Sequence, residues 1–316
     1  IVGCIDLEAY DYRKGSKSPV RATEATVIER IPPRIAVRRG AELELPHIMI
    51  LIDDEKKTVV EPLASVSSNL KKVYDFKLMQ KGGSIKGWLL GEKEQEQVGK
   101  AISVLEDIDS FNNKYNMSET SPLVFAMGDG NHSLATAKEF YEELKKENPG
   151  KDMSNHPARY ALVEIVNLHS PALKFEAIHR IVTDVDTQNL ISEMTENLGL
   201  DEKSSECEQS FEYVINGVRT SVGITKPSSK LTVGSLQQFL DGYIKENGGK
   251  IDYIHGTEVI DKLSMNKGSI GFILPDMAKS ELFPTVICDG ALPRKTFSMG
   301  HAWDKRYYVE CRKITD

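Results

Sequence analysis

The residues best suited to chemistry in this chain lie close together between positions 128 and 133. A carboxylate, Asp129, and an imidazole, His132, stand three residues apart, with Gly130 between them. These are the side chain types that most often transfer protons in catalysis. The same stretch is rich in turn residues, so free backbone N–H groups are expected beside the two side chains. The combination suits proton transfer next to an anion, phosphate above all.

The flanking segments predict a strand, a tight turn and a helix. The apolar run Leu123–Met127 has the length of a strand, and the turn follows it. Apolar residues then recur at steps of three and four, as on one face of a helix: Leu134, Ala137, Tyr141 and Leu144. Such a turn directs backbone N–H groups and the positive end of a helix dipole at one point. The candidate phosphate-binding residues of the turn are Gly128, Gly130, Asn131 and Ser133.

A structural role for the turn is the alternative. Asp129 or Asn131 can serve as the N-cap, the glycines as an ordinary turn, and His132 as a first-turn residue. The sequence patterns of known nucleotide-binding loops do not decide between a functional and a structural role for the turn. The G-x-x-x-x-G-K-[ST] pattern is absent, and Ser133 stands where the dinucleotide fingerprint has its third glycine.

Composition narrows the class of protein. The 316 residues are 40% apolar and 28% charged, as in a globular protein of one large or two ordinary domains. The formal net charge of −7 argues against nucleic acid or an anionic membrane as a partner. The longest apolar runs are too short to span a bilayer. We therefore expect a small anionic or phosphorylated substrate that binds through a local basic patch.

Cysteine usage favours a reducing compartment. The four cysteines are scattered and show no C-x-x-C or Cys/His metal spacing, so no metal site is predicted from them. Reduced thiols in a cytoplasmic protein are the simplest expectation. No signal peptide is visible, although the chain begins at Ile1 rather than Met, so that a leading segment can be missing. The oligomeric state is left open.

Charged and polar residues elsewhere supply further candidates for the site. They lie in a Thr- and Val-rich segment that favours a strand, Pro19–Arg30, in an apolar run over residues 173–182, and beside a turn at Pro293. The candidates are Arg21, Glu24, His179, Arg180, Lys295 and Thr296. Arginine and lysine near a chemical site commonly bind phosphate. Surface ion pairs, a strand end exposed to water and a solvated loop are the respective structural alternatives.

The remaining pattern alternates strands with helices. Hairpins are predicted around Asp53–Lys57, Lys81–Ser84 and Asn216-Gly217, where Asn-Gly fits a type I′ turn. A helix is predicted over Glu92–Ser110 and a terminal strand over Lys305–Arg312. Because hairpins pair strands antiparallel, the expected class is α+β (mixed α/β), with a largely mixed or antiparallel sheet.

Six short motifs together resemble the family catalogued as domain of unknown function 1015. They are Pro19–Glu24, Pro46-His47, Gly128–His132, Ala158–Tyr160, His179-Arg180 and Leu292–Thr296. The resemblance runs over nearly the whole chain. It implies a ParB- and sulfiredoxin-like core over residues 1–183 and a C-terminal α+β region over residues 184–316 that can pack back on the core. The wider group includes free serine kinases.

The resemblance also assigns roles to the turn. Asp129 matches the aspartate that is thought to act as a base on the serine hydroxyl, Gly130 matches the glycine, and His132 matches the second histidine. Asn131 replaces the first histidine of the usual motif. Ser133 replaces an arginine, which removes a guanidinium that could hold phosphate bidentately.

Two functions are expected as alternatives. The first is a serine-kinase-like phosphotransferase, with Asp129 as base and Glu24 on Mg²⁺ or on the substrate ammonium. His132 and the backbone at Asn131–Ser133 would hold the transferring phosphate. Its phosphoryl donor would be ATP, ADP or pyrophosphate, and phosphoserine hydrolysis would use the same groups. The side chains expected to neutralise the phosphate are Arg21, Arg180, Lys295 and Thr296. The second function is non-catalytic binding of a nucleotide or a phosphorylated metabolite. The negative net charge of the chain argues against DNA binding by analogy with ParB.

Overall fold

The computed structural model describes residues 1–46, 48–300, 305 and 307–315. The chain forms two compact units. The first comprises Ile1–Lys174, Val286–Ala291 and Met299–Asp316, and the second comprises Phe175–Thr285 and Leu292–Ser298. This division places residues 175–183 in the second unit, whereas the sequence analysis assigned them to the first domain.

The regular elements of the described residues alternate along the chain. The strands are β1 (Val2–Asp6), β2 (Tyr10–Asp11), β3 (Val20–Arg21), β4 (Leu43–Glu44), β5 (Met49–Ile52), β6 (Lys71–Lys77), β7 (Ser84–Leu89), β8 (Phe125–Asp129), β9 (Tyr160–Asn167), β10 (Glu176–Ala177), β11 (His179–Thr183), β12 (Leu200–Asp201), β13 (Gln209–Ile215), β14 (Val218–Ile224), β15 (Lys250–Ile254), β16 (Ile270–Ile273), β17 (Phe297–Ser298) and β18 (Arg312–Lys313). The α-helices are α1 (Ile31–Arg38), α2 (Glu61–Val66), α3 (Glu92–Leu105), α4 (Ile108–Tyr115), α5 (Asn131–Glu147), α6 (Thr187–Leu198), α7 (Thr232–Asn247), α8 (Thr257–Leu263) and α9 (Leu282–Asp289). Among the helices that the structure describes, none is long and apolar enough to cross a membrane.

The first unit is built on a six-stranded mixed sheet in the order β1-β9-β5-β8-β3-β2. Strands β9 and β5 run parallel, as do β8, β3 and β2, whereas β5 and β8 run antiparallel. The central strand β5 lies between β9 and β8, and Ile50, Leu51 and Ile52 are buried, which agrees with its unbroken apolar sequence. The predicted α+β class with a mixed sheet is thus confirmed.

Helix α5 packs against this sheet through the stripe that the sequence predicted. Leu134, Ala137 and Tyr141 are buried, and Leu144 packs against the same core at partial exposure. The core also contains Met127 from β8, so the strand before the turn and the helix after it bury their side chains together. The turn between them is therefore anchored on both sides.

The second unit has its own six-stranded sheet, in the order β12-β14-β13-β16-β11-β15, with all neighbours antiparallel. Strands β13 and β14 form the predicted hairpin. Asn216 and Gly217 both take positive φ, 51° and 74°, as a type I′ turn requires. The β6–β7 hairpin is also confirmed.

The Thr- and Val-rich segment differs from its prediction. Only Val20–Arg21 forms a strand, and the chain then enters a 3-10 turn at Ile28–Arg30 and helix α1. Pro32 and Pro33 lie near the start of α1, where a missing N–H breaks no helical hydrogen bond. The strand propensity of Thr and Val was therefore overridden by the tertiary context.

Three other predicted elements also differ. No strand follows Asp53–Lys57, because the Asp54 carboxylate accepts the N–H groups of Thr58 and Val59 and removes them from strand pairing. The helix predicted over residues 92–110 ends at Leu105, and Asp107 caps a separate helix, α4. Of the predicted terminal strand, the described residues show pairing only in β18.

Candidate functional site

The turn after β8 starts helix α5 without a side chain cap. Strand β8 ends at Asp129, and Gly130 takes a φ of +87° as the N-cap residue. An L-residue pays roughly 1–2 kcal/mol for that conformation, so glycine is favoured there. Because Gly130 has no side chain, the helix start has no side chain cap, and the N–H of Ser133 donates to the Gly130 carbonyl at 2.9 Å. The N-cap role considered for Asp129 and Asn131 is not what the structure shows.

Gly128 is needed for close packing rather than for an unusual backbone angle. A Cβ atom at this position would lie 3.1 Å from both Leu51 Cγ and Met299 Cε. A side chain at this position would therefore require these two neighbouring side chains to move by a few tenths of an ångström.

The carboxylate of Asp129 has a partner on each oxygen. Oδ1 accepts the N–H of Gly130 at 2.8 Å, and Oδ2 accepts the ammonium of Lys305 at 2.7 Å. The side chains of Asp129 and Lys305 are 35% and 33% exposed, so a ligand can reach both. The pair places one cation and one carboxylate at the start of α5.

The side chains after Asp129 hold a second segment against the turn. Asn131 Oδ1 accepts the N–H of Thr23 at 3.3 Å, and His132 Nε2 accepts the N–H of Val27 at 3.3 Å. The Thr23 hydroxyl in turn donates to the Met127 carbonyl at 2.7 Å. This accepting role requires His132 to carry no proton on Nε2.

Glu24 lies within the segment that the turn holds. It follows β3, which runs parallel to β8, and the carboxyl ends of parallel strands meet at the same edge of a sheet. Glu24 is half-buried. The structure thus brings the segment of Glu24 to the turn that carries Asp129 and His132.

Arg21 has a structural role within this unit. Its side chain is buried, and it donates to the carbonyls of Ser18 at 2.6 Å and Ser121 at 3.0 Å. Burial lowers the pKa of the Arg21 guanidinium. These bonds tie β3 to the loop before β8, so its predicted phosphate contact stays a prediction.

The other predicted basic residues lie in the second unit. Arg180 is fully buried, donates to the carbonyls of Ile178 and, at 3.0 Å, Arg294, and stacks over the Tyr253 ring at 5.3 Å. The exposed strand end considered for this segment is wrong, because His179 is buried as well. Burial lowers the pKa of His179, whose Nδ1 accepts the N–H of Leu274, the residue that follows β16.

Lys295 and Thr296 occupy a turn of the same unit. Lys295 is exposed and takes a φ of 57°. The Thr296 hydroxyl is buried and donates to the Pro293 carbonyl at 2.6 Å. The phosphate-binding roles of both residues, like those of His179 and Arg180, stay predictions.

Lys305 is the residue that sequence reasoning missed. Its local sequence predicts only the start of a terminal strand and does not indicate a partner 176 residues away. His47, part of one quoted motif, lies outside the described residues.

The family described as "Protein of unknown function (DUF1015)" matches residues 1–243. The chain belongs to this family. Its motifs, including the turn at Asp129, fall mostly within the matched residues, and the resemblance inferred from them is confirmed. A search of curated proteins found no match.

Several solved structures share the fold over nearly the whole chain. A free serine kinase variant in complex with AMP covers 99% of this chain and 91% of its own, with a TM-score of 0.51 and 11% identity. A free serine kinase variant in complex with ADP covers 99% of this chain and 92% of its own, with a TM-score of 0.50 and 12% identity. C-terminally truncated SbnI from Staphylococcus aureus covers 95% and 83%, with a TM-score of 0.50 and 8% identity. At such identities the likeness shows the fold alone.

Proposed function

We propose that the protein is a phosphotransferase that acts on serine or a similar small hydroxyl compound. The observation that carries the proposal is the reachable carboxylate of Asp129, paired with Lys305 beside the uncapped start of α5. The fold adds support, since structures of similar fold include a free serine kinase bound to AMP or ADP.

Each part of the turn has a role in this reaction. Asp129 accepts the proton of the attacking hydroxyl, and the N–H groups at the start of α5 hold the transferring phosphate. Phosphoryl transfer depends mainly on positioning and on charge stabilisation, which these groups supply without further chemistry. Mg²⁺, with ATP, ADP or pyrophosphate as donor, completes the proposal, and Glu24 is the side chain we assign to Mg²⁺ or to the substrate ammonium.

Lys305 supplies the cation that the turn lacks. The usual family motif has an arginine where this chain has Ser133. Arg21 and Arg180 already donate to backbone carbonyls, so their guanidiniums have structural partners. Lys305, by contrast, forms an ion pair with the Asp129 carboxylate, and its side chain is partly exposed. We infer that its ammonium moves to the phosphate oxygens when substrate binds, which frees Asp129 Oδ2 to act as the base.

A non-catalytic binding protein is the second candidate function. The pairing of Asp129 with Lys305 favours it, because the ammonium occupies the Oδ2 atom that a base would use. In that case the turn would bind a nucleotide or a phosphorylated metabolite without turnover. The four scattered cysteines, which show no C-x-x-C spacing, favour a reducing compartment such as the cytoplasm for either function.

A product assay on purified protein separates the two functions. Protein, Mg²⁺ and L-serine are incubated with ATP, ADP or pyrophosphate in turn, and phosphoserine is detected by mass spectrometry. Asp129→Asn is expected to reduce the rate by about 10²–10⁴-fold, the usual contribution of a general base. Binding of ADP, measured by calorimetry, is expected to persist in this variant.

Asp252→Asn is the matched control. Asp252 also accepts the N–H of the residue that follows it, Tyr253, at 2.8 Å, but it lies outside the turn. Asp252→Asn should leave both the rate of phosphoserine formation and the affinity for ADP unchanged. The serine kinase proposal would be refuted if the protein bound nucleotide but formed no product from any donor and released no serine from phosphoserine. The non-catalytic binding function would then remain.

A further inference from the structure

A second cluster of ionisable side chains lies at the opposite end of the first sheet from Asp129. Asp53 directly follows β5, and His169 comes shortly after β9, which runs parallel to β5. Met49, at the other end of β5, pairs with Asp129. Asp53 follows Met49 by four residue steps, which is about 13 Å at 3.3 Å per residue. The cluster is therefore distinct from the turn.

Three side chains of this cluster offer metal ligands to a common point. The carboxylates of Asp53 and Glu55 and the imidazole of His169 place one ligand atom each within 4.8 Å of the others. The closest approach is 2.6 Å, between Asp53 Oδ1 and His169 Nε2. Ligands around a tetrahedral ion with bonds of about 2.1 Å stand about 3.4 Å apart, so only small side chain movements are needed.

The backbone around the ligands is already fixed. Asp54, between the two ligand carboxylates, is buried and holds its own loop through the N–H groups of Thr58 and Val59. The buried amide of Asn167 donates to the Asp54 carbonyl at 2.9 Å, and its Oδ1 accepts the N–H of His169 at 3.1 Å. Binding an ion would thus order little additional chain, which favours affinity.

The side chain of Lys114 already places a positive charge against the carboxylates of the cluster. The ammonium of Lys114 lies 2.9 Å from Asp53 Oδ2, 3.2 Å from the Asp53 carbonyl and 3.4 Å from Glu55. The oxygens that this ammonium contacts are among those that would contact a bound ion. Its side chain is 33% exposed, so it can swing into water and make room for an ion.

We propose that Asp53, Glu55 and His169 form a binding site for one divalent transition-metal ion, such as Zn²⁺ or Mn²⁺. Imidazole together with carboxylates suits these ions better than Mg²⁺ or Ca²⁺, which prefer oxygen ligands alone. Tyr115, whose hydroxyl donates to Asp53, orients that carboxylate. The ion would link the loop after β5 to the loop after β9.

Metal titration of the full chain tests the proposal. Protein freed of metal with a chelator is titrated with Co²⁺, followed by its visible spectrum, and with Zn²⁺ in competition. One ion per chain is expected, together with a rise in Tm, because an ion that binds only the folded state stabilises it. Absence of saturable binding in both the natural protein and Lys114→Met would overturn the proposal.

Variants connect any binding to these residues. Glu55→Gln, at a side chain 64% exposed, should fold normally and weaken binding by about tenfold or more, as should His169→Ala. Lys114→Met removes the competing ammonium and should tighten binding. His255→Ala, at an exposed histidine outside the cluster, is the matched control and should change nothing. Equal affinity in the natural protein, Glu55→Gln and His169→Ala would place the ion elsewhere and refute the site.

Discussion

Replacing Lys305 by Met should reduce activity strongly while leaving the fold intact. The ion pair of Lys305 with Asp129 is short, at 2.7 Å, but both side chains are about one-third exposed. Exposed pairs contribute about 0–1 kcal/mol to folding, because water and salt screen them. In the proposed reaction the same ammonium faces the charge of the transferring phosphate. Loss of one such stabilising donor typically costs about 10²–10³ in kcat.

The expected result is therefore a large difference between two measurements on one variant. Lys305→Met should lower kcat for phosphoserine formation by about 10²-fold or more, and urea unfolding should show a loss below about 1 kcal/mol. Lys305→Arg keeps the positive charge and should recover part of the activity. If the protein only binds nucleotide, the dissociation constant for ADP replaces kcat as the measured quantity.

Lys100→Met is the matched control for this experiment. Lys100 forms an ion pair of the same length, 2.7 Å, with Glu96 on the exposed surface of α3. Its replacement should change neither activity nor stability by a measurable amount. The reasoning would be refuted if Lys305→Met kept activity within about threefold of the natural protein, or if Lys305→Met and Lys100→Met lost activity equally.

Three further changes test the structure around the candidate residues. Gly130→Ala should destabilise by about 1–2 kcal/mol in urea unfolding because of its positive φ, whereas Gly99→Ala, in open space on a helix, should not destabilise. Arg180→Met should cost about 2–3 kcal/mol, since it removes the donor to the buried Ile178 carbonyl and Gln237 amide oxygen, and a loss below about 1 kcal/mol would contradict that role. Burial lowers the pKa of His179, so the unfolded chain binds the proton more readily, and stability should fall as the pH drops below about 6.5. His179→Asn, which keeps an acceptor for the N–H of Leu274, should flatten that pH dependence.

Local patterns in the sequence were sufficient for the elements of the candidate site. The strand, the glycine turn and the helix at residues 125–147 follow from an apolar run, two glycines and a stripe at helical spacing. The hairpin at Asn216-Gly217 was equally readable, because its turn type depends on two adjacent residues. The order of motifs also indicated the family.

Patterns failed where a distant partner or a single capping bond determined the structure. The segment at Pro19–Arg30 had the composition of a strand, yet most of it lies along the turn at Asn131 and His132. Asp54 prevented a predicted strand by accepting two N–H groups. Local composition carries no information about such competing acceptors.

Sequence alone therefore determined the type of the chemical groups, and tertiary structure determined which of them meet. Asp129 was identifiable from its turn, whereas its partner Lys305 lies 176 residues away. Arg21 and Arg180 looked equally suited to phosphate until folding placed carbonyl groups around their guanidiniums. A side chain's charge is a property of its own atoms, but its availability depends on the topology that brings other parts of the chain to it.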